Sequence, residues 1–274
     1  RRLGVEYDAY GLTAANGKQL DAALQEVCTL VDASDLVSRL RVVKSARELT
    51  YVQQAAELAD RALDAAHRLA APGVDEGEIL AAMQAAIFAG GGDYPANEFI
   101  IGSGRDALLC RYKSGRRQLR EIDQLTLEWA GAFRHYHAAL MRTIPVGKVS
   151  RRQGDMHAVT LAAMAACEAA LRPGRPIGEV FDAYARVCDE AGMNAHRLNA
   201  TGYSLGATFA PNWMDWPMLY SGNPVQAEPN MVFFLHMILM DSDAGYAMCF
   251  GHTVVVTENG CRPLSRRSLE LVTG

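Results

Sequence analysis

A carboxylate set among apolar, β-type residues, Glu128 in the run QLTLEWA (124–130), is the most pointed chemical feature of the chain. Alternate residues of an extended segment share a face, so Glu128 faces opposite to Trp129. A carboxylate so placed can pair with a cationic substrate, attack it, or activate a water molecule; the competing reading is an exposed strand glutamate. Histidines supply proton transfer near neutral pH. His135 and His137 share one strand face by a spacing of two, and His236 and His252 lie in later β-type runs. Each is a candidate acid or base, against the alternative of a hydrogen-bonded structural histidine. His67, His157 and His196 fall on helices or connectors and read as structural. Tyr203 can donate a hydrogen bond to a developing charge or to a substrate carboxylate, or it fills a cleft. Arg111 suits bidentate capture of a carboxylate, or a structural ion pair. Trp213 and Trp216, with Met214 and Met218, can cage a delocalised cation or pack a loop.

Two matched sets of elements have to position these groups. Ser45 and Glu48 form a capping-box pattern that predicts a helix to about Leu69, stopped by Pro72-Gly73. Asp75 and Glu78 repeat the pattern for a helix through about Phe88, stopped by the glycines at 90–92. Further helices are predicted from Gln153 to Leu171, ended by Pro173-Gly174, and from Gly178 to Ala191, closed by Gly192. The motif PGxxxGE occurs at 72–78 and again at 173–179, each time between a long alanine-rich helix and a shorter one. β-type runs follow each pair: 98–102, 124–130 and 132–142 in the first half, 200–205, 231–240 and 246–257 in the second. Matched motifs and matched order predict two related α+β halves with a shared cleft between their sheets. Residues 1–44 fall outside the repeat and read as a connecting segment, the remnant of an N-terminal domain, with the main domain at 45–274. The chain opens on Arg1 rather than Met, which reads as a truncated start.

Composition narrows the function. The chain has 27 basic and 31 acidic residues, a formal charge of −4 and no long basic block, which argues against nucleic acid. No apolar run reaches the roughly 18 residues of a membrane helix, and no signal peptide is read. Six cysteines lack metal-type spacing; disulfides among them are open but not required in a chain of this size, and a cytoplasmic location is expected.

The stretch LEWAGAFRHYHAALMRTIPVG (127–147) resembles the hairpin of the creatinase/aminopeptidase P/methionine aminopeptidase superfamily. TGYSLG (201–206) stands where that superfamily has a Gly-His-Gly-Ile-Gly-like segment, EPNMV (228–232) matches its Glu-Pro-Gly-Met-Val, and GHTVVVTENG (251–260) matches its final strand. The resemblance runs in order from residue 40 to 274. It implies the pita-bread fold: α+β, two pseudo-symmetric halves, and a curved, mostly antiparallel sheet covered by helices. Metallopeptidase members hold two metal ions with two Asp, one His and two Glu. By the resemblance those positions fall at Trp129, Ala139, Tyr203, His236 and Gly251, a set that cannot converge on a hard cation. The expected metal set is therefore none, and no cofactor is implied.

Within the superfamily, GSGRDALLCRY (102–112), LEWAG (127–131), FAPNWMDWPM (209–218) and FFLHMILM (233–240) are more specifically similar to ectoine hydrolases. Creatinases have a catalytic His at the position of Arg111. The implied reaction is metal-independent opening of a cyclic amidine, ectoine, to N-acetyl-diaminobutyrate. A protonated amidine is already electrophilic at carbon, which removes the chief need for a Lewis acid. The expected catalytic set is Glu128 (nucleophile or base), His236, His252 and Tyr203. Arg111, His135, His137 and Trp213 are expected to bind substrate. The resemblance also implies a homodimer in which one subunit's N-terminal domain reaches its neighbour's active site, and a deacetylase acting on the product. Alternatives are another amidine or guanidine hydrolase, and a pseudoenzyme that binds a small molecule or partner.

Overall fold

The computed structural model describes residues 1–109 and 116–274. The helices begin where the capping signals stand. Ser45 caps α3 (Ala46–Leu69) with a complete capping box to Glu48, and the Asp75 side chain accepts from the Gly77 amide at the start of α4 (Glu76–Ala89). A second complete box, Ser150 with Gln153, starts α5 (Arg151–Ala170) earlier than its apolar spacing suggests, and α6 (Gly178–Glu190) follows. Ahead of these stand β1 (Arg2–Val5), α1 (Ala14–Leu24), β2 (Thr29–Asp32) and α2 (Leu36–Arg41). β1 and β2 pair in parallel as a sheet of their own. Arg41 joins this segment to the rest through two hydrogen bonds to Asp215, at 2.7 and 2.8 Å.

The repeated motif has a physical basis. Gly73 and Gly174 both have positive φ, +85° and +75°, a conformation that glycine adopts without a Cβ clash. Each then donates its amide across to the facing segment, Gly73 to the Leu119 carbonyl at 2.7 Å and Gly174 to that of Ala227 at 2.8 Å. The same turn thus fastens each helix pair to its own half.

The main sheet, among the described residues, comprises β3 (Ile100–Ser103), β4 (Asp123–Phe133), β5 (Tyr136–Val146), β6 (Gly202–Ser204), β7 (Asp215–Met218), β8 (Val232–Asp241), β9 (Tyr246–Thr257) and β10 (Gly260–Pro263). Its order is β3-β4-β5-β9-β8-β6-β7, with β10 on β9, and the pairings are antiparallel. The hairpins β4–β5 and β8–β9, one from each half, meet where β5 pairs with β9. The curled sheet carries its helices on one side. The inner face of α3 is largely alanine (Ala55, Ala59, Ala62, Ala66), which lets it lie close on β4 and β5. On the second half, α5 and α6 cover a core that includes Phe233, Leu235, Met237, Phe250 and Val254. The opposite, concave face carries the site.

Candidate active site

Registers fix which side chains share the concave face, because directly paired residues of an antiparallel sheet point the same way and neighbours in sequence point oppositely. One row reads Ile100, Glu128, Met141, Gly251, His236. The next includes Ala130 and Ala139, then Phe234 and Tyr203. Ala139, Tyr203, His236 and Gly251 therefore lie on one face, as the resemblance implies. Trp129 does not. Its side chain is fully buried on the helix side, with its indole N–H donating to the Ala59 carbonyl of α3 at 3.0 Å. The concave position on β4 is Glu128, one residue earlier, so a carboxylate stands where the resemblance implies that an aspartate ligand is lost.

Glu128, Tyr203, Trp213 and His236 line a cavity of about 200 Å³ together with Asn97, Asn212, Met214 and apolar residues such as Ile100. Trp213, 1% exposed, donates its indole N–H to the Tyr203 hydroxyl oxygen at 2.9 Å. The Tyr203 hydroxyl in turn donates to Glu128 Oε1 at 3.1 Å. Indole is a donor only, so it occupies an acceptor site of the tyrosine and turns the hydroxyl proton toward the carboxylate. The result is an oriented carboxylate in a mostly apolar chamber. His236 stands across from it, ring centroids 5.8 Å from Tyr203 and 5.5 Å from Phe234. Its Nδ1 is buried and has no partner among the described residues. A buried polar atom left this way is costly unless water or a ligand meets it.

Four expectations need correction or relocation. His252 lies on the helix side, since it follows the concave Gly251 by one residue; its Nε2 is 2.6 Å from Glu168 Oε1 of α5, so it does not reach the chamber. His137 is on β5, but both ring nitrogens are engaged away from the cavity. Nε2 accepts from the Ala96 amide at 2.9 Å, and Nδ1 faces the Thr208 hydroxyl at 3.2 Å and the Gly206 carbonyl at 3.4 Å. It ties two loops, one through Ala96 and one through Gly206 and Thr208, to β5. His135 is not on a strand at all. It sits exposed in the β4–β5 turn at φ 63°, beside Arg134 at φ 53°, with its ring 4.6 Å from that of Phe209. The Trp-Met cluster divides: Trp213 walls the chamber, whereas Trp216 lies under the Arg39 guanidinium at 4.9 Å. Arg111 lies outside the described residues. Asn97 and Asn212, missed in the sequence, come from loops whose only signal was proximity to aromatic residues.

Burial pushes His137 and His236 down to about 4, from 6.5 for a free imidazole. His236 is therefore neutral at neutral pH: it can take up a proton and does not repel a cation. Across that interval the unfolded chain binds more protons than the folded one, so the stability these groups contribute is complete above pH 6.5 and is lost as pH falls through 4. The loss is on the order of 3 kcal/mol per histidine. The urea midpoint is expected to drop between pH 7 and pH 4.5, and His236→Gln to flatten part of that slope. A variant with the wild-type slope would refute this account of His236.

The profile of metallopeptidase family M24 matches residues 50–258. Over 238 residues the chain is 24% identical to a Xaa-Pro dipeptidase of Pyrococcus furiosus, covering 87% of this chain and 67% of that protein. It is also 24% identical to an ectoine hydrolase of Halomonas elongata, over 275 residues, 96% of this chain and 67% of the other. The X-Pro aminopeptidase of Thermotoga maritima superposes with a TM-score of 0.91 at 18% identity, covering all of this chain and 75% of that one. The likeness of that structure is one of fold. The chain spans about three fifths to two thirds of the length of the curated relatives it matches.

Proposed function

The chain belongs to metallopeptidase family M24; from this premise we propose that it is a hydrolase whose site works without a metal ion on a small cationic C–N substrate, ectoine foremost. The donor set carries the reading. The concave positions 128, 139, 203, 236 and 251 hold Glu, Ala, Tyr, His and Gly, and among the described residues no three His, Cys, Asp or Glu side chains stand together as a metal site. Two ligating side chains and a phenol hydrogen-bonded to one of them do not fit a pair of hard divalent cations.

What remains suits an amidinium. Its positive charge faces Glu128, and its carbon needs no further polarisation. In the simpler route Glu128 takes a proton from a water whose oxygen bonds to the amidine carbon. The C–N bond then breaks, and the departing nitrogen takes up a proton, which His236 can relay. The product is an acetamide bearing a free amine, a substrate class for a deacetylase. Direct attack by Glu128 would give a covalent intermediate, hydrolysed in a second step. Tyr203 stabilises the carboxylate in either case. Assembly as a homodimer belongs to the same proposal.

The dipeptidase relative favours a second reading, peptide hydrolysis. One assay separates them: purified protein with ectoine and a chelator, against a Xaa-Pro dipeptide with added manganese. Undiminished ring opening under chelation is expected. Manganese-dependent dipeptide cleavage without ectoine turnover would replace this reading with the second.

A further inference from the structure

Beside the Glu128 chamber lies a second cavity of about 400 Å³, lined mainly by apolar groups including Phe88, Tyr94, Pro95, Phe99 and Pro211. Two chain segments line both cavities. In the first, Asn97 borders each cavity, Phe99 faces the outer one and Ile100 the inner. In the second, Ala210 and Pro211 face the outer cavity, while Asn212, Trp213 and Met214 face the inner. The compartments are thus neighbours that meet at Asn97, and a chain passing that side chain would run from one into the other. They differ in chemistry: the inner has the oriented carboxylate and the imidazole, whereas the outer is mostly aromatic, proline and aliphatic surface, with Gln84, Asn97 and the exposed Glu98 as its polar border. Phe88 and Tyr94 meet edge to face at 4.7 Å at its mouth, although Tyr94 is 80% exposed. An exposed aromatic pair over an apolar hollow is surface that a ligand can cover.

We propose that the outer cavity is a subsite for an apolar substituent of a substrate whose cationic head occupies the Glu128 chamber, so that the substrate class includes alkyl- or aryl-substituted amidines. The subsite rests on the reading of the chamber as an amidinium site. It widens that reading, because a compact amidine leaves the outer cavity unused.

Calorimetric titration with acetamidine, butanamidine and hexanamidine tests the two separately. Acetamidine binding that Glu128→Gln abolishes is the result expected of the chamber. For the subsite, the dissociation constant is expected to tighten with each added methylene that reaches the outer cavity, by up to about fourfold. The gain should shrink in Phe88→Ala and Tyr94→Ala, exposed positions outside the chamber, while acetamidine affinity stays at the wild-type value. Acetamidine binding with no gain from the longer chains, or a gain that both variants retain in full, overturns the subsite and leaves the chamber standing. Failure of all three amidines to bind overturns both.

Discussion

Glu128→Gln is expected to lower kcat on the proposed amidine substrate by about a hundred- to ten-thousandfold while leaving the thermal midpoint close to that of the wild type. The substitution is nearly isosteric, and its amide oxygen still accepts the Tyr203 hydroxyl, as Oε1 does at 3.1 Å. The Trp213 indole keeps its own bond to Tyr203, so the hydrogen-bonded chain that positions the residue survives. What disappears is the negative charge and the basicity, and with them both the pairing to an amidinium and the ability to attack or take a proton. Steady-state kinetics with a melting curve on the same sample separates the effects. A folded variant with kcat within a few-fold of wild type would remove Glu128 from the chemistry. A variant that also melts far lower would mean that the charge is structural.

Gly131→Ala has the largest effect expected on the fold. Gly131 lies on β4, where α3 crosses the sheet, and a Cβ added there would stand 2.0 Å from the Ala55 carbonyl oxygen and 2.7 Å from the Ala59 nitrogen. Both obstacles are helix backbone, so no rotamer change relieves the contact; helix and strand would have to part. The same close approach lets the Trp129 indole reach the Ala59 carbonyl. A cost of about 3 kcal/mol or more follows, which for a chain of this size lowers the melting temperature by on the order of 10 °C. Gly154→Ala in α5 is the control. Its added Cβ meets nothing within 4 Å, and it should leave stability unchanged or raise it by up to about 1 kcal/mol. Equal melting of the two variants would contradict the close packing of α3 on β4.

Much of the architecture is local and could be read from the chain. The Ser45–Glu48 capping box, the stops at Pro72-Gly73 and Pro173-Gly174 and the repeated motif concern residues within a few positions of each other, and their hydrogen bonds form as the spacing requires. The β-type runs at 124–130, 132–142, 231–240 and 246–257 became the two central hairpins, apart from the turn at His135. The notion of a cleft between two halves, with Glu128, Tyr203 and His236 among its polar members, is likewise legible, Glu128 from the strand pattern and Tyr203 and His236 from the positions that the resemblance supplies.

The direction of each side chain was not. A sheet alternates faces at every residue, so a displacement of one position exchanges cleft for core. That single step put a ligand position on Trp129 instead of Glu128, and made His252 a neighbour of the site in sequence but a partner of Glu168 in space. His137 is on the cleft-facing register yet is spent on Ala96, Gly206 and Thr208, contacts that only folding brings together. The link from Trp213 through Tyr203 to Glu128 joins three separate stretches of chain. Sequence determined which elements form and which chemical groups they carry; tertiary structure decided which groups converge, because convergence depends on register and on contacts between residues far apart in the chain.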